Sequence, residues 1–171
     1  MATRTSIHPL PTIYWLFFLY IEPLATLAGA YYAALRPSEY LTLTVPGSGS
    51  LPNTNPLTPN REIITLLQLA NMYLVFAFTE ACVLRASSDM NVWRALLLGL
   101  LIADLGHMWS VNSMGWSVYW RFWEWNEIYW GNLGFVYVGA AMRVSFLSGL
   151  GYRGGGGSKA RGGGGRAKRA A

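Results

Sequence analysis

The sequence predicts an all-α integral membrane protein: a four-helix bundle followed by a disordered basic tail. Three observations carry that expectation. Of 171 residues, 53% are hydrophobic and only 12% charged, about half the charge of an ordinary soluble domain. The apolar residues fall into four stretches, each long enough to cross a bilayer. None of the four has the continuous polar stripe that a helix of a soluble bundle presents to water. Plentiful apolar surface excludes a disordered chain. A single cysteine, Cys82, excludes a disulfide-built scaffold.

The first stretch runs over residues 13–35, IYWLFFLYIEPLATLAGAYYAAL, and as a helix would measure about 34 Å. Glu22 and Pro23 stand in its middle and no small-residue cleavage site follows, so it reads as a span and not a signal peptide. Pro23 removes a backbone donor and predicts a kink, which neighbouring helices tolerate in a membrane. The second stretch covers residues 62–84, the third 92–111 and the fourth 128–150. Residues 1–150 thus form the four-span domain and 151–171 the tail.

The connections agree with this division. Residues 36–60 are rich in proline, glycine, serine and threonine and read as an extended loop. Residues 85–91 form a tight turn that makes the second and third spans antiparallel neighbours. Residues 112–127, NSMGWSVYWRFWEWNE, contain Trp116, Trp120, Trp123 and Trp125. Tryptophan collects where one side of the ring is apolar and the other wet, so this segment is expected along the membrane interface. An aromatic platform for a substrate is the alternative.

The net charge of +5 belongs to the tail. Residues 153–171 hold Arg153, Lys159, Arg161, Arg166, Lys168 and Arg169 and no acid. Removing those six from thirteen basic residues leaves seven against eight acids, a net of −1. A glycine-rich polar tail cannot offset its ordering entropy. Its expected partner is an anionic lipid surface, and nucleic acid is not expected. With four spans, Arg4, Arg85, Arg94, Arg143 and the tail share one side, ten cations in all. Arg36, Arg61 and Arg121 lie on the other. Both termini are therefore expected in the cytosol. Lys168-Arg169 near the end resembles a dibasic retrieval signal and suggests the endoplasmic reticulum.

Polar residues inside the spans are the only chemical evidence. Counting about 1.5 Å per residue from the helix ends, Glu22 and Asp104 fall near the midplane, with His107 one turn beyond Asp104. These three are the candidate catalytic residues. Gln68, Asn71 and Asn132 are expected to line a polar cavity. Glu80 and Arg143, nearer the cytosolic ends, are expected to form a structural ion pair, since each is expensive alone and tolerable together. Asp104, His107 and a guess at Glu22 fall short of a metal site, and neither metal nor cofactor is expected. The small residues Gly131, Gly134, Gly139, Ala140 and Ala141 allow close helix approach, either inside the bundle or as a homodimer face.

Four blocks, FFLYIEPLATLAGAYYA (17–33), QLANMYLVFAFTEACVLR (68–85), VWRALLLGLLIADLGHMWSV (92–111) and WNEIYWGNLGFVYVGAAMR (125–143), together resemble a family of small fungal integral membrane proteins. The resemblance covers about residues 7–150 and implies four spans with no settled function. In architecture alone the chain is also similar to fungal membrane-bound terpene cyclases of meroterpenoid pathways and to sterol-isomerase-like bundles. None of their motifs aligns, so no residue carries over.

Three functions compete. The chain is expected to be a lipid-binding or membrane-organising protein, in which these side chains fix the packing of the helices. The alternative is a membrane-embedded acid–base enzyme acting on an isoprenoid or sterol-like substrate, with Glu22 or Asp104 as acid and His107 as its partner. A proton or ion pathway would need more polar residues along the full depth.

Overall fold

The structure, a computed structural model, describes residues 10–45 and 58–151. The expected basic tail, apart from Gly151, and most of the expected long loop lie outside the described residues. Among the described residues there is no strand. The helices are α1, Thr12–Leu35; α2, Pro37–Thr44; α3, Thr58–Ala86; α4, Met90–Ser110; and α5, residues 127–148. Three of them, α1, α3 and α4, are long and apolar enough to cross a membrane. The fourth expected span, α5, is helical through Ser148 but is not among these three. It carries Asn132, Arg143 and three glycines.

Helix α1 passes through Pro23 without breaking. Over Phe17–Ile21 it widens into a π-helical turn, and the Glu22 amide donates to the Phe17 carbonyl five residues back. A second π-helical stretch, Trp130–Phe135, interrupts α5. Such single-turn bulges gather at functional sites.

One expectation is corrected here. Residues 37–44, read as part of an extended loop, form α2. Pro37 at its first turn supplies a pre-set φ, and Glu39 is favourably placed near the positive end of the helix dipole. Its Tyr40 is buried. The far end is held by Asn126 Nδ2, which donates to the Leu43 carbonyl (2.7 Å), and by the Tyr129 hydroxyl, which donates to that of Thr44 (2.8 Å). These tertiary partners override a composition that by itself suggests a loop.

The turn between α3 and α4 is tight, as expected. Asp89 caps α4 by accepting from the Asn91 amide at 2.8 Å, and Trp93 Nε1 donates to the Ser87 carbonyl at 2.8 Å. Residues 112–124 make three short 3₁₀ turns, with Gly115 at the positive φ of 89° that a side chain would resist. Trp116, Trp120 and Trp123 are exposed. Trp125 instead turns inward, its Nε1 donating to the Val118 carbonyl at 2.8 Å.

Helix α1 packs chiefly along α3, and α4 along α5. Small residues bring the first pair close. Ala30 and Ala33 of α1 are buried with Ala70 of α3, and a Cβ on Gly29 would stand only 3.3 Å from the Tyr73 ring. At one end the pairs are joined by an aromatic core. The Phe146 ring meets Tyr14 edge-on at 5.3 Å and stacks on Trp93 at 5.9 Å between centroids. At the other end Tyr40, Leu66, Ala70 and Ile128 form a second core. The outward faces are apolar, with Phe78 72% and Leu24 66% exposed. Side chains of this kind suit lipid and not water.

Candidate functional site

Between the two cores, each long helix contributes one charged group. Glu22 comes from α1, Glu80 from α3, Asp104 from α4 and Arg143 from α5. Local sequence explains two of these placements. Glu22 emerges directly after the π-turn of α1. Arg143 can reach inward because Gly139, one turn before it, has no side chain. A Cβ there would lie 2.9 Å from Arg143 Nη1 and 3.5 Å from Glu22 Oε1.

The guanidinium is divided among the acids. Its Nη2 donates to Glu22 Oε1 and its Nη1 to Asp104 Oδ2, while Glu80 Oε1 lies 4.0 Å from Nη2. Arg143 and Glu80 are 2% exposed and Glu22 is 6%. One cation therefore faces three carboxylates out of water, where an unbalanced charge is costly. Fully ionised, the cluster would carry a net charge of −2. Glu22 Oε2, Glu80 Oε1 and Arg143 Nε are buried without a hydrogen-bond partner.

The cluster forms part of the wall of a cavity of about 240 Å³. Ala25, Ala28, Phe76, Leu100 and Ala103 supply apolar wall, and Tyr40, Tyr73, His107 and Asn132 add a second polar group. Asn132 Nδ2 donates to the Tyr40 hydroxyl at 3.3 Å. Asn132 also neighbours His107, whose ring lies 6.4 Å from that of Tyr73. The second π-stretch lies here too, since Gly131, Asn132 and Phe135 all border the cavity.

The structure regroups the residues singled out from the sequence. Glu22, Asp104, His107 and Asn132 do line one cavity. The expected pair of Glu80 and Arg143 is part of a larger cluster, in which the direct bonds of Arg143 go to Glu22 and Asp104. His107 neighbours Asn132 and Tyr73. Gln68 and Asn71 do not line the cavity; both are exposed on the outside of α3. Tyr40 and Tyr73 were missed. The available signal was that each is the one tyrosine of its helix, Tyr40 in α2 and Tyr73 in α3, and that a tyrosine hydroxyl needs a partner when buried.

Among the described residues no group of three metal-ligating side chains is placed to hold an ion. A second, more open groove of about 730 Å³ runs along the outside of α1 and α3, past Pro23, Leu24, Leu74 and Phe78 to Cys82 and Arg85.

Apolar helices with lipid-suited outer faces, closed around a buried charged cluster and a cavity, fit the multi-pass membrane class. Residues 7–153 match a family described as a domain of unknown function, DUF7704, and the chain belongs to that family. No curated protein matches it, and neither does any solved structure.

Proposed function

We propose that the protein binds a lipophilic molecule in the cavity between its helices, as a lipid-binding protein of the membrane. The observation that supports this best is the cavity of about 240 Å³, whose wall is largely apolar while its polar groups converge at two places. Binding sites for small molecules have this character. In this reading α5 is the fourth span, and the four long helices form a four-helix bundle. Arg143 is then neutralised inside the membrane by acids from the other three helices.

Both termini face the cytosol, following the excess of Lys and Arg on that side. The basic tail meets the anionic lipid surface there, and its Lys168-Arg169 pair supports residence in the endoplasmic reticulum. The exposed Trp116, Trp120 and Trp123 sit at the opposite interface. The likeness to small fungal membrane proteins supports the span count and adds no chemistry.

A second reading, an acid–base enzyme on an isoprenoid or sterol-like substrate, is favoured by one observation. Asp104 and His107 border the same cavity one helical turn apart, so a bound molecule would touch a carboxyl group and an imidazole together. The test of binding comes first. The full chain and its Ala103→Leu variant, which fills part of the cavity, are purified in mild detergent and their co-purifying lipids profiled. A lipophilic species retained by the natural chain and lost from the variant is expected. Identical profiles would overturn the proposal.

A further inference from the structure

Resting on the reading that the cavity binds a lipophile, the geometry points to the chemistry of that molecule's head. We propose that it is a positively charged amphiphile, a protonated primary amine on an apolar chain, with its ammonium against Glu22 and Glu80.

Charge is the first ground. Three carboxyl groups share one guanidinium, so an anionic head would enter a site with more acids than cations, where burial makes further negative charge costly. The second ground is the pattern of partners. Arg143 occupies Glu22 Oε1 and Asp104 Oδ2, yet two acceptors on neighbouring side chains, Glu22 Oε2 and Glu80 Oε1, are buried with none, against one unpartnered donor, Arg143 Nε. An unpaired buried acceptor is expensive, and both residues border the cavity. An ammonium carries three donors and no acceptor. It can serve both oxygens at once and bring a cation to a site where acids outnumber cations. A hydroxyl has one donor to offer and no charge.

The third ground is the wall. Phe76, one helical turn from Glu80 on α3, borders the same space, and aromatic faces attract cations. Ala25, Ala28, Leu100 and Ala103 leave room for the start of an alkyl chain. The volume of about 240 Å³ lies just below the roughly 300–1,000 Å³ of drug-sized sites, which suits a small head followed by a slender chain and not a bulky polar head.

The test uses the full chain in nanodiscs of neutral phosphatidylcholine, with empty discs subtracted. Radiolabelled decylamine is titrated in, then displaced with unlabelled decylamine, decanol or decanoate. Saturable binding is expected, displaced by the amine and not by equal decanol or decanoate. Glu80→Gln should weaken it about thirtyfold or more, the usual loss on removing one partner of a buried charge pair. The competition series needs no variant, so it stands even where Glu80→Gln fails to fold. Decanol displacing the probe as well as the amine would overturn the charged head while leaving a lipophile site. No saturable binding of the amine would overturn the charged head, and labelled decanol failing to saturate as well would overturn both.

Discussion

Arg85 Nη2 donates to the backbone carbonyl of Leu19 at 2.8 Å, four residues before Pro23. In a regular helix that carbonyl would accept from the amide of residue 23, and proline has none to give. Leu19 is 1% exposed, so water cannot replace the missing donor. A side chain from α3 therefore satisfies the backbone of α1 next to the π-turn that presents Glu22. The same guanidinium lies 5.0 Å from the centre of the Tyr20 ring.

This relationship predicts a coupling between Arg85 and Pro23. Arg85→Leu should destabilise the protein by about 1–3 kcal/mol, the cost of leaving a buried acceptor unpaired. In a Pro23→Ala background the restored amide can serve Leu19, and the same change should cost less. Thermal unfolding of the four variants in one detergent measures the difference. An equal loss in both backgrounds would assign the role of Arg85 to Tyr20 instead.

Gly139 should resist replacement because of what it borders. An added Cβ meets Arg143 Nη1 at 2.9 Å, and the guanidinium cannot yield without lengthening its bonds to Glu22 and Asp104. Gly139→Ala is expected to cost about 1–3 kcal/mol, as overpacking does. Gly131→Ala, whose Cβ would meet nothing within 4 Å, should leave the unfolding temperature nearly unchanged. Equal effects at the two positions would contradict the packing around Arg143.

The charge cluster predicts an order of couplings. Arg143→Gln strands three acids and should cost about 3–5 kcal/mol, as breaking buried pairs does. Its coupling to Glu22→Gln and Asp104→Asn should exceed that to Glu80→Gln, since Glu80 stands 4.0 Å away and the other two are bonded directly. Folded yield and unfolding temperature of the double-mutant cycles read this order. Strict additivity for Glu22 would mean that its bond to Arg143 contributes nothing.

The long apolar runs made the helices legible, because length and composition alone decide whether a segment can span. Positions around each helix were harder to read. Helix α3 is apolar on most sides, so its sequence does not say which face turns inward, and Gln68 and Asn71 went to the wrong face. Counting depth from helix ends separated Glu80 and Arg143 from Glu22 and Asp104. Arg143 has a long side chain and Gly139 gives it room, so the four meet. The two π-turns bring Glu22 and Asn132 to the cavity, and no periodicity in the sequence announces an extra residue in a turn. Helix α2 was hidden because Pro37 and a threonine-rich composition suit a loop as well as a first turn.

Orientation can be tested without purification. With both termini in the cytosol, tags at either end should be digested by protease added to intact microsomes. A tag inserted near Gly49 should survive until detergent is added. A tag at Gly49 that is cleaved in sealed microsomes would reverse the orientation or change the number of spans.

Asp104 and His107 separate a binder from an enzyme. Asp104→Asn keeps the size of the side chain and its capacity to accept a bond from Arg143, but removes the titratable proton. His107→Gln keeps a polar neighbour for Asn132 and removes the imidazole. If the cavity only binds, both variants should fold and still retain a lipophilic ligand. Asp104→Leu, which deprives Arg143 of an acceptor, should lose about 1–3 kcal/mol of stability. If the cavity is catalytic, the two conservative variants should accumulate normally in cells and bind, yet the lipid extract should lack a product present with the natural chain. Lipid profiles of cells carrying the natural chain, each variant or none decide between these. A product that disappears with either Asp104→Asn or His107→Gln, at unchanged protein level, would replace the binding reading with the enzymatic one. Profiles unchanged by both variants would leave proton transfer by these groups without support.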